Sequence, residues 1–357
     1  MTGIWGYTLR RLLLMLPTLI GIVTVSFIII QFVPGGPIDQ IAARFSGADA
    51  GATASFGGAS ATPDMTAGSS ELTPEMVAEL EKLYGFDKPV HERYFKMLKD
   101  FARFDLGTSY FKEQPVIDLI IAKLPVSISL GLWTTLITYL VSIPLGIRKA
   151  VRAGTPFDNW TSALIIMGYA IPSFLFAVLL VVVFAGGNIF SWFPARGLTS
   201  DDWEALSTFG KVKDYFWHIA LPVTAMAIGS FASLTILTKN SVMDEISKQY
   251  VTTARAKGLT ENRVLYGHVF RNAMLIIVAG LPHAFISVLF ASSLLIEVIF
   301  SLDGLGLLSF EAAINRDYPV MLGALFVFSL LGLLANLLGD ILYVMVDPRI
   351  DFEKRDV

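Results

Sequence analysis

The sequence contains no cysteine, so no disulfide, thiolate metal site or cysteine-held iron–sulfur cluster is open to it. Charge is scarce too. Asp, Glu, Lys and Arg make up 16% of the 357 residues, against about 25% in soluble domains. The net charge of −3 leaves no excess of basic residues for binding nucleic acid. No GxxxxGK[ST] pattern occurs, so the chain has no phosphate-cradling loop of its own for ATP. His91-Glu92 is not followed by the second histidine of a zinc-protease helix, and no GxSxG elbow appears. Gly304-Leu305-Gly306 runs on to Ser309 where a dinucleotide loop needs glycine. Hydrolase and dinucleotide chemistry therefore have no motif to stand on.

What the chain has in quantity is apolar sequence, 54% of its residues. It falls into six runs, at 12–33, 126–147, 161–185, 219–237, 273–299 and 320–346, and these runs contain only two charged residues, Glu297 and Asp340. A helix needs about 20 residues at 1.5 Å each to cross roughly 30 Å of hydrocarbon, so each run is long enough for one crossing. The fold class expected is an all-α polytopic membrane protein with six transmembrane helices. The first run is not read as a cleaved signal: its apolar core is too long, Pro17 interrupts it, and Pro34-Gly35-Gly36-Pro37 follows in place of a cleavage site.

Six crossings put both termini on one side, and basic residues say which. One set of loops and ends carries Arg10, Arg11, Arg148, Lys149, Arg152 and, in the 239–272 loop and the tail, nine more basic residues. The opposite short loops carry only Arg196, Lys211, Lys213 and Arg316. Both termini are expected to be cytoplasmic. The aromatic clusters Trp192-Phe193 and Tyr215-Phe216-Trp217 suit the outer interface.

This divides the chain into a cytoplasmic end with the first helix (1–33), an outer loop (34–125), a five-helix core (126–346) and a cytoplasmic tail (347–357). Within the outer loop, 46–70 is almost wholly Ala, Gly, Ser and Thr and is expected to be a flexible linker. From Thr73-Pro74 to 125 the spacing predicts a small helical cap, with one helix starting at that pair and a second from His91 to about Phe104. In the inner loop 239–272, Ser241 and Asp244 have the spacing of a capping box, after which Met243, Ile246, Tyr250 and Ala254 recur at helical steps until Gly258. A second short helix is expected from Thr260. An apolar stripe rimmed by Lys248, Arg255 and Lys257 suits either anionic lipid or a groove on a partner protein.

Ionisable groups at membrane depth are functional candidates because they are expensive there. His283 and Glu297 are the translocation-pathway candidates, His283 alternatively a helix-packing residue. Asn336 and Asp340 are read as structural, with Asp340 either pairing to a cytoplasmic arginine or solvated near the inner interface. The small residues Ala225, Ala227, Gly229, Ala232 and Ser233 are expected to let helices approach closely. On these residues alone an ion-coupled secondary transporter or channel remains the alternative to a subunit driven from elsewhere.

The run Tyr250-Val251-Thr252-Thr253-Ala254-Arg255-Ala256-Lys257-Gly258-Leu259 resembles the cytoplasmic signature loop, the EAA loop, of ABC importer permeases in the dipeptide, oligopeptide and nickel branch. Thr252, Thr253 and Ala254 stand where that motif has Glu-Ala-Ala, and Gly258 is its glycine. His268-Val269-Phe270-Arg271 replaces the Ile-x-Leu-Pro of more distant importers. Arg10-Arg11-Leu12, Tyr84-Gly85-Phe86-Asp87, Leu124-Pro125-Val126-Ser127, Asp303-Gly304-Leu305-Gly306, Arg316-Asp317-Tyr318-Pro319 and Asp347-Pro348-Arg349 also look like landmarks of that branch. Within it the chain is most similar to the type that imports peptides and the peptide-nucleotide antibiotic microcin C. The resemblance implies the type I ABC importer permease fold, with a small periplasmic helical region between helices 1 and 2. It implies an inner-membrane location and alternating access driven by ATP and Mg held in two separate ATPase subunits, with no cofactor in this chain. It implies a paralogous second permease and a periplasmic peptide-binding protein as partners. Residues 250 and 252–258 would form the helix that couples to the ATPase.

Overall fold

Backbone groups in hydrocarbon have no water to bond, so an apolar run must satisfy them internally, and a helix is the only local way to do so. The computed structural model describes residues 2–32, 78–79, 82, 86–186, 189–290 and 294–346. The 46–70 linker, the helix start at Thr73-Pro74 and the 347–357 tail lie outside the described residues. The helices are α1 (Thr2–Phe32), α2 (Val90–Phe101), α3 (Val116–Val151), α4 (Pro156–Ala170), α5 (Ser173–Phe184), α6 (Thr208–Ile246), α7 (Gln249–Ala256) and α8 (Glu261–Val264). A π turn (Leu265–Val269) follows, then α9 (Phe270–Ala273), α10 (Leu275–Phe290), α11 (Leu294–Ile299), α12 (Leu305–Asn315) and α13 (Tyr318–Val346). Among the described residues there is no strand, only an isolated bridge between Thr108 and Pro115.

Four of these helices are long and apolar enough to cross a membrane unbroken: α1, α3, α6 and α13. Two further pairs of helices reach that length and apolar content only when each pair is taken together, and both are bent at the break. The run 161–185, expected as one helix, is α4 and α5 meeting at 93°. Pro172 is the cause, because its ring disfavours helical geometry in the residue before it, and Ile171 is extended at φ −85°, ψ 119°. The run 273–299 is likewise divided, and the helical stretch Glu261–Ala273 joins Leu275–Val288 with a 48° bend.

The capping box expected at Ser241 does not form, since Ser241 and Asp244 both lie inside α6. That helix starts instead at Ser207, whose hydroxyl accepts from the Gly210 amide at 3.2 Å. The Ser241 hydroxyl donates to the Ala273 carbonyl at 2.7 Å, where it ties α6 to α9. The chain breaks only at Lys248, extended at φ −75°, ψ 149°.

Two compact units can be separated. One comprises Met1–Arg11, Val126–Leu302 and Leu331–Val357; the other comprises Leu12–Pro125 and Asp303–Leu330. The first contains two cores. In one, Leu130 of α3, Ala177 and Leu180 of α5, Ile219 of α6, and Ile296 of α11 pack with Phe300. In the other, Ile147 of α3 and Val242 of α6 pack with Val251, Ala254, Val264 and Ala273 from the inner loop. Helices α3 and α6 touch at Gly146, where an added Cβ would lie 2.6 Å from Thr238 Cβ and 2.9 Å from the Thr235 carbonyl oxygen. Small residues allow such contacts where no water drives helices together.

In the second unit α2 packs on α1, with the Tyr94 and Thr24 hydroxyls 2.6 Å apart and Arg93 donating to Gln31 at 2.7 Å. Phe101 meets Phe326 of α13 ring to ring. Asp317, at the turn into α13, accepts from the Ser109 hydroxyl and the Tyr110 amide, and Lys123 pairs with Asp303.

Candidate functional site

The signature segment is a two-turn helix with one buried and one exposed face. Along α7, Val251 and Ala254 point into the core at 0% and 7% exposure, whereas Thr252, Thr253, Arg255, Ala256 and Lys257 are exposed. Gly258 ends the helix at φ +79°. Its amide bonds the Arg255 carbonyl at 2.9 Å and the Leu259 amide bonds the Ala254 carbonyl at 3.4 Å, the paired bonds of a Schellman stop. Tyr250 is half-buried; its hydroxyl donates to Glu245 at 2.7 Å and accepts from Asn272 at 3.2 Å, joining the ends of α6, α7 and α9. Burial, and after it the Glu245 carboxylate, push the Tyr250 phenol above its ordinary pKa.

The basic rim is largely neutralised. Arg255 makes a two-pronged bond to Glu261 at 2.9 and 3.0 Å, and Lys248 pairs with Glu245. Lys257 makes no ion pair among the described residues. The exposed face therefore presents hydroxyls, an alanine, Arg255 paired with Glu261, and Lys257.

Beside this segment lies a charged knot that the sequence did not announce. Lys149 and Asp158, 1% and 4% exposed, pair at 2.9 Å, and Lys239 reaches the same carboxylate at 2.7 Å. The Lys149 ammonium also bonds the Thr161 and Ser162 hydroxyls at 2.8 Å, and the Gly154 amide reaches Asp158 at 3.1 Å. One carboxylate thus joins α3, α4 and α6. The position of Lys149 and Lys239 just outside apolar runs, with Asp158 the lone acid between the runs 126–147 and 161–185, is the signal in the sequence that points to the knot.

Of the polar candidates at membrane depth, His283 lines a cavity of about 440 Å³ between α3, α6 and α10. Thr134, Thr135, Thr138 and Tyr139 line it from α3, Ser230 and Ser233 from α6, and Ser287 from α10. Gly229 and Ser233, expected as close-packing residues, border this space instead, and a Cβ on Gly229 would meet nothing within 4 Å. Ala225 and Ala232 are packed, at 0% and 2% exposure. Glu297 does not join His283. It is fully buried in α11 beside Ile296 and Phe300 and does not line the cavity. Asp340 accepts from the Tyr7 hydroxyl at 2.9 Å and pairs with Arg11 at 3.1 Å, whereas Asn336 is exposed.

Residues 142–352 match the family described as binding-protein-dependent transport system inner membrane component. The peptidoglycan transport system permease protein YejB of Agrobacterium fabrum is 55% identical over 99% of this chain and 100% of its own length. The inner membrane ABC transporter permease protein YejB of Escherichia coli O157:H7 is 56% identical over 98% and 100%. The oligopeptide transport system permease protein AppB of Bacillus subtilis is 34% identical over 97% and 99%.

Proposed function

The chain belongs to the binding-protein-dependent transport system inner membrane components, and from that membership we propose how it works. It is the permease subunit of an ABC importer for peptides, a multi-pass protein of the inner membrane with the type I importer permease fold, acting with ATPase and permease partners. The observation that carries this reading is similarity along the whole chain, at 55% and 56% identity, to two such permeases.

In our reading the chain pairs with a paralogous permease to enclose the pathway, and each permease rests on one of two ATPase subunits that hold ATP and Mg. A periplasmic binding protein delivers cargo to the face opposite α7. ATP-driven closure pushes on α7 and switches the pathway between inward-open and outward-open states, a rigid-body transition of two-state type. The exposed face of α7 supports this role. It is short, held at both ends by Tyr250 and the Gly258 stop, and two of its three rim cations are already paired, which suits a protein groove better than an anionic lipid surface. The excess of basic residues in 239–272 and at both ends supports cytoplasmic termini. The relatives' names give peptidoglycan transport for one and oligopeptide transport for another; a peptide main chain is the chemistry common to both cargoes, and microcin C shares it.

Purification of the tagged chain in detergent, with mass spectrometry and an ATPase assay of what accompanies it, tests the assembly. A second permease and ATPase subunits are expected, and Arg255→Glu or Gly258→Val should weaken ATP-coupled peptide uptake at least tenfold. A lone chain that transports on an ion gradient without ATP would overturn the reading.

A further inference from the structure

Helices α1 and α13 are long and apolar enough to cross a membrane, and the last turns of α1 and the first turn of α13 border one pocket of about 210 Å³. Phe27, Ile30 and Gln31 contribute from α1, and Tyr318, Pro319 and Leu322 from α13. Arg93, Lys96 and Phe101 of α2 complete the wall with Phe86, Lys88 and Leu106 from the loops beside it. All of these residues belong to the compact unit formed by Leu12–Pro125 and Asp303–Leu330. A pocket at the ends of two crossing helices lies where hydrocarbon gives way to lipid headgroups.

Five charged residues border this pocket: Lys88, Arg93, Lys96, Asp100 and Asp105. None of the three cations pairs with an acid among the described residues, although two acids share the lining. Elsewhere in the chain Lys149, Lys239 and Arg255 are all neutralised by carboxylates. Arg93 is nevertheless held in place. Its Nη2 donates to Gln31 Oε1 at 2.7 Å, and Gln31 is itself braced by donating to the Phe27 carbonyl at 3.3 Å. The guanidinium carbon lies 4.9 Å from the centre of the Phe86 ring and 6.0 Å from that of Phe27. Gln31, Phe27 and Phe86 all border the pocket, which puts the guanidinium in its wall. Tyr110 steadies Phe86 edge to face at 6.1 Å, and Tyr318 adds a second ring of the kind found at membrane interfaces. A guanidinium carries five N–H donors in a rigid fork, and Gln31 is the acceptor for one of them. Stacked, braced and without an acid, Arg93 is preorganised for an oxyanion. Lys88 and Lys96 are exposed, so their ammonium groups are free to turn to the same anion. Asp105 is exposed as well, and one of its oxygens accepts from the Gly107 amide at 3.1 Å.

We propose that this pocket binds the headgroup of a membrane phospholipid, with Arg93 holding the phosphodiester, Lys88 and Lys96 adding positive charge, and Asp100 and Asp105 receiving the ammonium of ethanolamine. The two acids distinguish phosphatidylethanolamine from phosphatidylglycerol, which has the same phosphodiester and no cation. The size of the pocket agrees, being below the roughly 300 to 1,000 Å³ of sites that enclose a whole drug-sized ligand. It suits one end of a larger molecule, and α1 leaves Val25, Ile28 and Ile29 exposed on its last turns as an apolar surface for acyl chains. A lipid held there bridges α1, α2 and α13. The proposal rests on α1 and α13 crossing the membrane and is independent of what cargo the importer carries.

The test uses the full chain with the subunits that accompany it, purified in detergent and stripped of lipid. It is titrated with dioleoylphosphatidylethanolamine, dioleoylphosphatidylglycerol and soluble glycerophosphoethanolamine, and bound molecules are counted by native mass spectrometry. The first phosphatidylethanolamine should bind at least about threefold more tightly than the first phosphatidylglycerol. Arg93→Gln should weaken it at least about tenfold, as loss of a charge-assisted hydrogen bond implies. Lys88→Gln with Lys96→Gln should weaken both lipids by about threefold or more. Asp100→Asn with Asp105→Asn should remove the preference for ethanolamine without weakening phosphatidylglycerol. The soluble analogue, with no acyl chain to bury, should need at least about a hundredfold higher concentration.

First-lipid affinity within about twofold of wild type in both Arg93→Gln and the Lys pair overturns the site. If Arg93→Gln does not fold, the Lys pair decides alone, since both side chains are exposed and make no ion pair among the described residues. Equal affinity of the wild type for the two lipids overturns the ethanolamine assignment, and binding of the soluble analogue as tightly as the lipid overturns the membrane as its source. Lipid bound by the chain purified alone but not by the assembled complex would show that another subunit covers the pocket, and also overturns the proposal.

Discussion

At Gly258 a single atom decides whether α7 ends where it does. With φ at +79° the residue sits where a Cβ crowds the following carbonyl, and since a Cβ there would touch nothing else, the cost of substitution is conformational alone. Gly258→Ala should cost about 1 kcal/mol and Gly258→Asn less, because asparagine tolerates this region; ATP-coupled uptake across the two variants checks the order. Tyr250 offers a pH readout. Its folded-state pKa is raised, so the stabilisation it provides is fully present below the ordinary tyrosine value of about 10 and is lost as pH rises through the folded value. Tyr250→Phe should abolish that part of the alkaline loss in a thermal-shift series while costing about 1 to 3 kcal/mol at neutral pH. Asp158 carries the largest expected effect. Asp158→Asn leaves two ammonium groups facing a neutral amide, with Lys149 only 1% exposed, and should destabilise the protein by about 3 to 5 kcal/mol. Lys149→Met should cost less, because Lys239 still neutralises the carboxylate. Thermal unfolding in detergent that ranked the two the other way would contradict this account of the knot.

Between elements, the contact of α3 with α6 is the one most sensitive to volume. A methyl at Gly146 would meet both the Thr238 side chain and the Thr235 backbone oxygen. Gly146→Ala should therefore cost about 1 to 3 kcal/mol, and Thr238→Ala should not rescue it, since a carbonyl inside a helix cannot withdraw as a side chain can. Full rescue in the double variant would mean that the helices separate more readily than their packing implies. The same scale shows what could be read beforehand. Apolar run length located the four helices long and apolar enough to cross unbroken, because desolvation of the backbone dominates there and depends only on composition. Gly258 located the end of α7, because its conformation is local. Pro172 was visible as well, yet a proline inside an apolar run is equally compatible with a gentle kink, as Pro17, Pro222 and Pro282 inside α1, α6 and α10 demonstrate. A proline in the sequence therefore does not by itself announce a bend of 93°. Ser241 misled because a capping pattern competes with helix continuation, and here tertiary contact with Ala273 favoured continuation. The cavity beside His283 was hidden for a related reason: hydrophobicity scales treat threonine and serine as nearly neutral in a span, and only the geometry shows which of them border open space.

For the whole molecule, the absence of cysteine is an experimental advantage, because a single introduced thiol is the only one present. Orientation follows from a sum of many small electrostatic preferences spread over all the loops, so no one residue carries it and no local geometry reports it. Arg196 and Lys257 are both exposed and lie in loops assigned to opposite sides of the membrane. With Arg196→Cys, a membrane-impermeant maleimide added to intact spheroplasts should label the chain at once. With Lys257→Cys, labelling should appear only after the membrane is opened. The position of Lys257 adds a second readout, since the face of α7 that carries it is the one assigned to the ATPase. In opened membranes Lys257→Cys should label more slowly in the assembled complex than in the chain purified alone, whereas Arg196→Cys should show no such difference. Labelling of Lys257→Cys from outside would invert the topology and remove α7 from the reach of any cytoplasmic ATPase. Correct sidedness without protection would keep the topology and place the ATPase contact elsewhere on the inner loop.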